Sequence, residues 1–170
     1  MKKIIVTLMS GLMFLCLSMG SHAQSSEQEL DQGELMKQFI GEWKTDLGND
    51  TIVLWELIPF HEGYESIFTW KTKGEAFATS KGILGFTWQK KLVNQYILWQ
   101  NGMIARDLGK FVSENKLVME RFNAEHNHTF SKWELEFVTP DKFLVKMKSK
   151  GVAQTWDNAT EFEWTYIRVD

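Results

Sequence analysis

Cysteine and proline are almost absent from this chain of 170 residues, which contains one cysteine and two prolines. The cysteine, Cys16, lies in the apolar amino-terminal segment, so the rest of the chain can form neither a disulfide nor a thiolate metal site. Internal repeats, low-complexity tracts and proline-rich linkers are also missing. The chain beyond residue 23 is therefore expected to be one domain that is stabilised by packing alone.

The amino terminus has the pattern of a secretory signal. Residues 1–3 (MKK) supply positive charge, residues 4–19 are largely apolar, and residues 21–23 (SHA) suit a cleavage site. The apolar segment falls short of the roughly 20 residues that a membrane span needs. We therefore expect residues 1–23 to be a cleaved signal peptide. The domain, residues 24–170, would be exported to the periplasm or secreted, without stable insertion in a membrane.

Positive charge is scarce in the expected mature chain. Removing the signal peptide reduces the lysines and arginines from 19 to 17, against 22 acidic residues, which leaves a net charge of −5. Nucleic acids bind to concentrated positive surfaces. A nucleic-acid partner is therefore not expected.

Motifs for catalysis and for metal binding are missing as well. The chain has no Gly-x-Ser-x-Gly elbow for a nucleophilic serine, and its paired acids Glu134 and Glu136 occupy a face that is predicted to be exposed. Residues 126–128 (HNH) place two histidines on one side of an extended segment, but zinc needs three or four ligands and only Glu125 lies nearby. An enzyme is not favoured, and neither a metal nor another cofactor is expected.

Polar and apolar residues alternate along most of the chain after residue 41. Within residues 132–137 (KWELEF), for example, the apolar residues share one face and the charged residues share the other. This period of two is typical of strands with one buried face. Turn-forming clusters divide the alternation into ten predicted strands, at residues 42–47, 51–59, 64–72, 76–86, 92–100, 103–112, 117–123, 129–138, 143–149 and 160–169.

One short helix is predicted before the strands, because Leu35, Met36, Phe39 and Ile40 fall on one helical stripe. With almost no helix to cover a second face, the strands must close into a barrel or stack as a sandwich. Closure also removes exposed strand edges. The predicted fold is all-β: a single up-and-down antiparallel barrel of about ten strands, preceded by one short amino-terminal helix.

Three segments resemble the lipocalin and fatty-acid-binding-protein barrels. They are residues 39–44 (FIGEWK), 81–86 (KGILGF) and 163–168 (EWTYIR). The first contains the Gly-x-Trp that opens the first strand in lipocalins, and together the segments are similar to an exported bacterial lipocalin-like family of about this length. The resemblance implies a structural role in barrel closure for Gly41, Trp43 and Arg168, with the arginine stacked on the tryptophan.

A barrel of this size encloses a cavity unless all of its inward side chains are large. Such cavities are mostly apolar, with a few polar groups that orient the ligand. The predicted lining residues are Trp55, Phe68, Trp70, Tyr96, Met119, Arg121 and Trp164. We therefore expect a protein that binds a small hydrophobic or amphipathic molecule. The alternatives are a barrel filled by its own tryptophans, and a β-sandwich that binds carbohydrate or protein through exposed tryptophans.

Arg121 is predicted to point into the barrel, where a buried arginine requires a partner. An internal acid such as Glu56 or Glu65 is favoured, and the carboxylate of a bound fatty acid is the alternative. Fatty-acid-binding proteins bind that carboxylate with an arginine and a tyrosine near the end of the barrel. Here Tyr166 and Arg168 occur in the opposite order, which disfavours a fatty acid.

Overall fold

The computed structural model describes residues 30–87, 91–123 and 128–169. The expected signal peptide and most of the histidine segment 126–128 lie outside these residues. A five-residue α-helix, α1 (Gln32–Met36), continues directly into a 3-10 turn at Lys37–Phe39, and a second 3-10 turn spans Trp156–Asn158. No helix in the described ranges has the length and apolar character needed to cross a membrane.

Ten antiparallel strands form a closed barrel, in which each strand pairs with its neighbours in sequence and the first pairs with the last. They are β1 (Gly41–Gly48), β2 (Thr51–Phe60), β3 (Gly63–Thr72), β4 (Glu75–Thr87), β5 (Leu92–Trp99), β6 (Ile104–Ser113), β7 (Lys116–Asn123), β8 (His128–Thr139), β9 (Lys142–Ser149) and β10 (Thr160–Arg168). The predicted up-and-down barrel is confirmed, and the closed ladder of strands excludes a two-layer sandwich.

Tight turns set the register between neighbouring strands. Asn49 and Asp50, between β1 and β2, have positive φ angles of 53° and 58°. Lys73 and Gly74, between β3 and β4, have φ angles of 53° and 84°. Two-residue turns with positive φ at both positions match the twist of the strands they join. These turns fix which side chains of β1–β4 point into the barrel.

Helix α1 packs across one end of the barrel. The carboxylate of Asp31 caps the helix by accepting hydrogen bonds from the N–H groups of Gly33 and Glu34, each at 3.0 Å. A helix of five residues is unstable by itself in water. It is therefore held by the burial of Met36 and of the following Phe39 against the barrel core.

Aromatic side chains fill the half of the barrel below this helix. The ring centroid of Phe39 lies 4.7 Å from that of Phe137 and 5.3 Å from that of Phe143. Trp43 lies 4.8 Å from Phe143, and its indole N–H donates a hydrogen bond to the carbonyl oxygen of Phe39 at 2.8 Å. This end of the interior is solid, and we call it the filled half.

Arg168 seals the filled half from outside. Its guanidinium carbon lies 4.2 Å from the centroid of the Trp43 ring. Its Nη1 donates to the carbonyl oxygen of Ile40 at 2.6 Å, and Nη2 donates to that of Gln38 at 3.0 Å. Gly41 has a φ of +117°, and a Cβ there would come within 2.9 Å of Arg168 Nη1. Glycine is therefore favoured at position 41, chiefly because L side chains rarely adopt this φ angle.

Candidate functional site

The other half of the barrel is hollow and contains a cavity of about 320 Å³. Ligand pockets range from about 300 to 1,000 Å³, so this volume suits a small molecule. The lining comprises eight aromatic, seven other apolar and four polar residues: Leu47, Val53, Trp55, Phe68, Trp70, Ser80, Gln95, Ile97, Trp99, Asp107, Met119, Arg121, Trp133, Leu135, Val145, Met147, Phe162, Trp164 and Tyr166. The interior is therefore not filled by its own tryptophans.

Six of the seven predicted lining residues border the cavity: Trp55, Phe68, Trp70, Met119, Arg121 and Trp164. The seventh, Tyr96, lies on the outer surface of β5, where 49% of it is exposed and its ring lies near the guanidinium of Arg106. Its inward orientation was predicted wrongly. Side chains alternate along a strand, and Gln95 and Ile97 on either side of Tyr96 are the buried ones.

The sequence prediction also missed several lining residues. Trp133 lies on the face of β8 that alternation predicts to be buried, so its place in the lining could have been found. Asp107 shares the inner face of β6 with Ala105 and Phe111, both buried. That face also carries Gly109, which has no side chain. Because this face combines an acid and a glycine with apolar residues, the alternation of polar and apolar residues did not identify it as the inner face.

Four aromatic rings form a continuous wall on one side of the cavity. The rings of Trp55 and Phe68 are parallel, with an interplanar angle of 1° and centroids 5.4 Å apart. Phe68 then stacks on Trp70 at 5.8 Å, and Trp70 lies 5.0 Å from Trp99. We call these four residues the aromatic wall. Offset and tilted packing of neighbouring rings stabilises such a row.

Asp107 and Arg121 form a buried ion pair in the cavity lining, opposite one another on β6 and β7. Arg121 Nε and Nη2 donate to the two carboxylate oxygens of Asp107, at 2.7 and 2.8 Å. The side chains are 1% exposed for Asp107 and 13% for Arg121. The guanidinium also lies 4.7 Å from the ring centroid of Trp133. Both charges are thus held in a fixed bidentate geometry.

The partner of Arg121 is an internal acid, as favoured above, but it is neither Glu56 nor Glu65. Both glutamates lie between buried residues on β2 and β3, so they point out of the barrel. Glu65 pairs there with Lys81 on β4. Asp107 and Arg121 are the only charged side chains among the described lining residues, and their charges cancel.

Five polar groups of lining residues have no hydrogen-bond partner among the described residues. They are Ser80 Oγ, Gln95 Nε2, Trp99 Nε1, Trp133 Nε1 and Trp164 Nε1. Leaving a buried donor unpaired costs about 1–3 kcal/mol, so native proteins rarely tolerate it without water or a ligand at the site. These atoms are shielded from solvent, so the surface that the cavity presents to a molecule inside it is largely apolar.

The cavity reaches the surface where β1 and β10 separate. These strands pair only at residues 43–44 and 167–168, whereas β1 and β2 pair at seven positions. Leu47 on β1 and Phe162 on β10 lie beyond this short ladder. Both line the cavity, and they are 48% and 46% exposed. An apolar mouth therefore lies at the end of the barrel opposite helix α1.

The phenol of Tyr166 lies between the two halves of the barrel, with its ring 5.0 Å from Phe143. Burial raises its pKa well above the ordinary value, and the nearby indole N–H of Trp164 opposes this only in part. An unfolded tyrosine loses its proton near about pH 10. Above that pH the unfolded chain has lost a proton that the folded chain keeps, so the linkage lowers stability as pH rises.

We therefore expect the urea midpoint of unfolding to fall between about pH 8 and about pH 11, and Tyr166→Phe to reduce that fall. Urea unfolding followed by circular dichroism at both pH values measures this fall in the midpoint. Tyr96→Phe, which removes an exposed phenol, serves as the control. An equally steep fall in Tyr166→Phe would contradict the burial argument.

Metal binding finds no support in the described part of the chain, where no three His, Cys, Asp or Glu side chains are grouped to hold an ion. His126 lies outside the described residues. His128 begins β8, and its Nε2 is 3.4 Å from Nζ of Lys150.

Comparisons with known proteins do not place the chain in a family: no family model matches it, and no curated protein matches it. The closed barrel of ten strands is consistent with the lipocalin-like resemblance. The function is therefore argued from the geometry of the cavity.

Proposed function

We propose that this protein is an exported, lipocalin-like binding protein that holds one small hydrophobic or amphipathic molecule in the hollow half of its barrel. The cavity of about 320 Å³ carries the proposal, because its lining is largely apolar. The proposed export rests on the signal pattern of residues 1–23.

The contrast between the two halves of the barrel supports an occupant. The filled half shows that this chain can close its interior with aromatic rings. In the hollow half the inward positions include small or short side chains, among them Val53, Ser80 and Val145. A cavity without an occupant forfeits van der Waals contacts and lowers stability. A ligand would restore those contacts.

Tryptophan exposure separates this proposal from a surface-binding module. None of the seven tryptophans that the structure describes is exposed, and five of them line the cavity. A module that stacks carbohydrate rings needs flat tryptophan faces on its surface. Trp156, outside the cavity, lies instead under the ammonium groups of Lys132 and Lys150.

The test uses 1-aminoanthracene, a neutral fluorophore whose emission rises in apolar surroundings. Ser80→Phe places a ring in the cavity, and Thr79→Phe places the same ring on the outer face of the same strand, where Thr79 is exposed. We expect the wild-type chain to bind the dye, Ser80→Phe to weaken binding about tenfold or more, and Thr79→Phe to leave it unchanged. No binding to the wild-type chain, or equal binding to Ser80→Phe, would overturn the proposal.

A further inference from the structure

We propose that a second copy of this chain docks on the outer face of β3–β6, so that the protein forms a dimer with two-fold symmetry. The proposal concerns the outside of the barrel and does not depend on what the cavity binds. Three observations carry it: an exposed apolar patch, its contrast with the charged outer face of β8–β10, and flanking charges that complement one another between two copies.

Four large apolar side chains form the patch. Ile83 on β4 lies directly opposite Tyr96 on β5, and Leu98 on β5 lies opposite Ile104 on β6. Each of the four is between 49% and 61% exposed. Opposed residues on neighbouring strands have Cβ atoms about 4.5–5.5 Å apart, so these side chains form one continuous surface, which we call the outer patch. Single exposed apolar residues are ordinary, whereas a contiguous group marks an interaction site.

The outer face of β8–β10, by contrast, is covered by charge. Six exposed lysines and glutamates lie on it, and each takes part in an ion pair: Lys132, Glu134, Lys146, Lys148, Glu161 and Glu163. That face is suited to water. The outer patch has apolar side chains at the corresponding positions, so this side of the barrel is suited to a partner.

Charges of opposite sign flank the outer patch. Glu65 on β3 lies opposite Ile83, and Arg106 on β6 lies opposite Tyr96. One row across the four strands therefore runs from an acid, over two apolar side chains, to a base. Arg106 Nε donates to Oδ1 of Asn94 at 3.0 Å, and none of the ion pairs within the described ranges involves this arginine.

A two-fold axis makes this row complementary to itself. An axis that lies in the interface along the strands, between β4 and β5, places β4 of one copy opposite β5 of the other and β3 opposite β6. Ile83 then meets Tyr96 of the other copy, and Glu65 meets Arg106. Each contact occurs twice, because both copies use the same surface. Glu65 also pairs with Lys81 in its own chain, so the arginine of the other copy extends an existing ion pair.

The same charges decide against a lipid surface as the occupant. Glu65 and Arg106 would enter hydrocarbon beside the apolar side chains, where unpaired charges are costly, whereas a second copy pairs them. Because the barrel wall is convex, only part of the four strands can touch, and the interface is smaller than the roughly 1,600 Å² that stable complexes bury. We therefore expect a weak dimer, with a Kd on the order of 10 µM.

Sedimentation velocity of the chain purified from its own host, at concentrations below and above this Kd, tests the patch. Ile83→Lys places a charge in the centre of the proposed contact and should raise the Kd about tenfold or more. Val138→Lys is the matched control, because Val138 on β8 has the same exposed fraction of 61% but lies outside the patch. It should leave the Kd unchanged.

A charge exchange tests the two-fold arrangement. Arg106→Glu brings two glutamates together at each end of the row, and Glu65→Arg brings two arginines together, so each variant alone should dimerise more weakly than the wild type. In an equimolar mixture, a dimer with one copy of each variant pairs acid with base at both ends. The mixture should therefore associate more tightly than either variant alone.

A wild-type chain that stays monomeric above the expected Kd would overturn the proposal. If that monomer sedimented with vesicles of phosphatidylcholine and phosphatidylglycerol, the occupant of the patch would be lipid. A dimer that Ile83→Lys leaves intact, or that Val138→Lys weakens equally, would also overturn the proposal, because its interface would lie elsewhere. A mixture no tighter than its separate variants would contradict the pairing of Glu65 with Arg106 across the axis.

Discussion

Replacing Asp107 by alanine should lower the free energy of unfolding by about 3–5 kcal/mol. The substitution leaves the guanidinium of Arg121 in the cavity lining without its carboxylate, and that side chain is only 13% exposed. Removing one partner of a buried ion pair is costly because the remaining charge has lost both water and its counter-charge. Urea unfolding followed by circular dichroism measures the change.

The matched control replaces both partners. Asp107→Leu combined with Arg121→Met removes the two charges together, and such replacements are often neutral or stabilising. We therefore expect the double variant to be at least as stable as the wild type, although Asp107→Ala is not. A double variant as unstable as Asp107→Ala would show that the loss comes from packing at these positions and not from an uncompensated charge.

Replacing Trp43 by alanine should lower the free energy of unfolding by about 3–5 kcal/mol, the usual cost of removing a fully buried tryptophan. Trp43 is completely buried, contacts Phe143 edge to face, and supports the guanidinium of Arg168. Its loss opens a cavity in the filled half and leaves the carbonyl oxygen of Phe39 without the indole donor. Chemical unfolding of the purified variant and of the wild type measures this difference in the free energy of unfolding.

Trp156→Ala provides the comparison for this prediction. Trp156 belongs to the second 3-10 turn and is only partly buried outside the barrel. We expect its replacement to cost about 1 kcal/mol or less. If Trp43→Ala and Trp156→Ala cost the same, the closure of the barrel by Trp43 and Arg168 would not be an important source of stability.

Periodicity and turn chemistry were enough to predict the barrel. All ten strands begin and end within one residue of the predicted limits, because alternation marks each strand and Gly, Asn and Asp mark the turns between them. Residues such as Asn49 and Asp50 adopt the positive φ angles that tight hairpins need. These signals are local, so they can be read from the sequence alone.

The contents of the cavity could be predicted only in part. Whether a side chain points into the barrel follows from alternation once the register is known. Six lining residues were predicted in this way. Tyr96 was misplaced because an aromatic residue was favoured over the neighbouring Gln95, although burial in β5 follows register and not hydrophobicity. The pairing of Asp107 with Arg121 depends on the register between β6 and β7, which an irregularity between Phe111 and Ser113 shifts.

The division into a filled half and a hollow half could not be predicted either. It depends on the summed volumes of side chains that are distant in sequence, such as Phe39 from the turn after α1 and Phe143 from β9. Whether a tryptophan N–H finds a partner depends on the same geometry, so the unpaired indoles of the lining could not be predicted from the sequence either.

Native mass spectrometry of the full-length chain expressed in and purified from its own host tests the central claim most directly, namely that the hollow half of the barrel is a binding site. The instrument conditions are first adjusted until the complex with added 1-aminoanthracene survives the measurement. A bound small molecule is then known to be detectable. We predict a chain lacking residues 1–23 that carries one small adduct, and loss of that adduct in Ser80→Phe. A bare chain under conditions that preserve the dye complex would contradict the account.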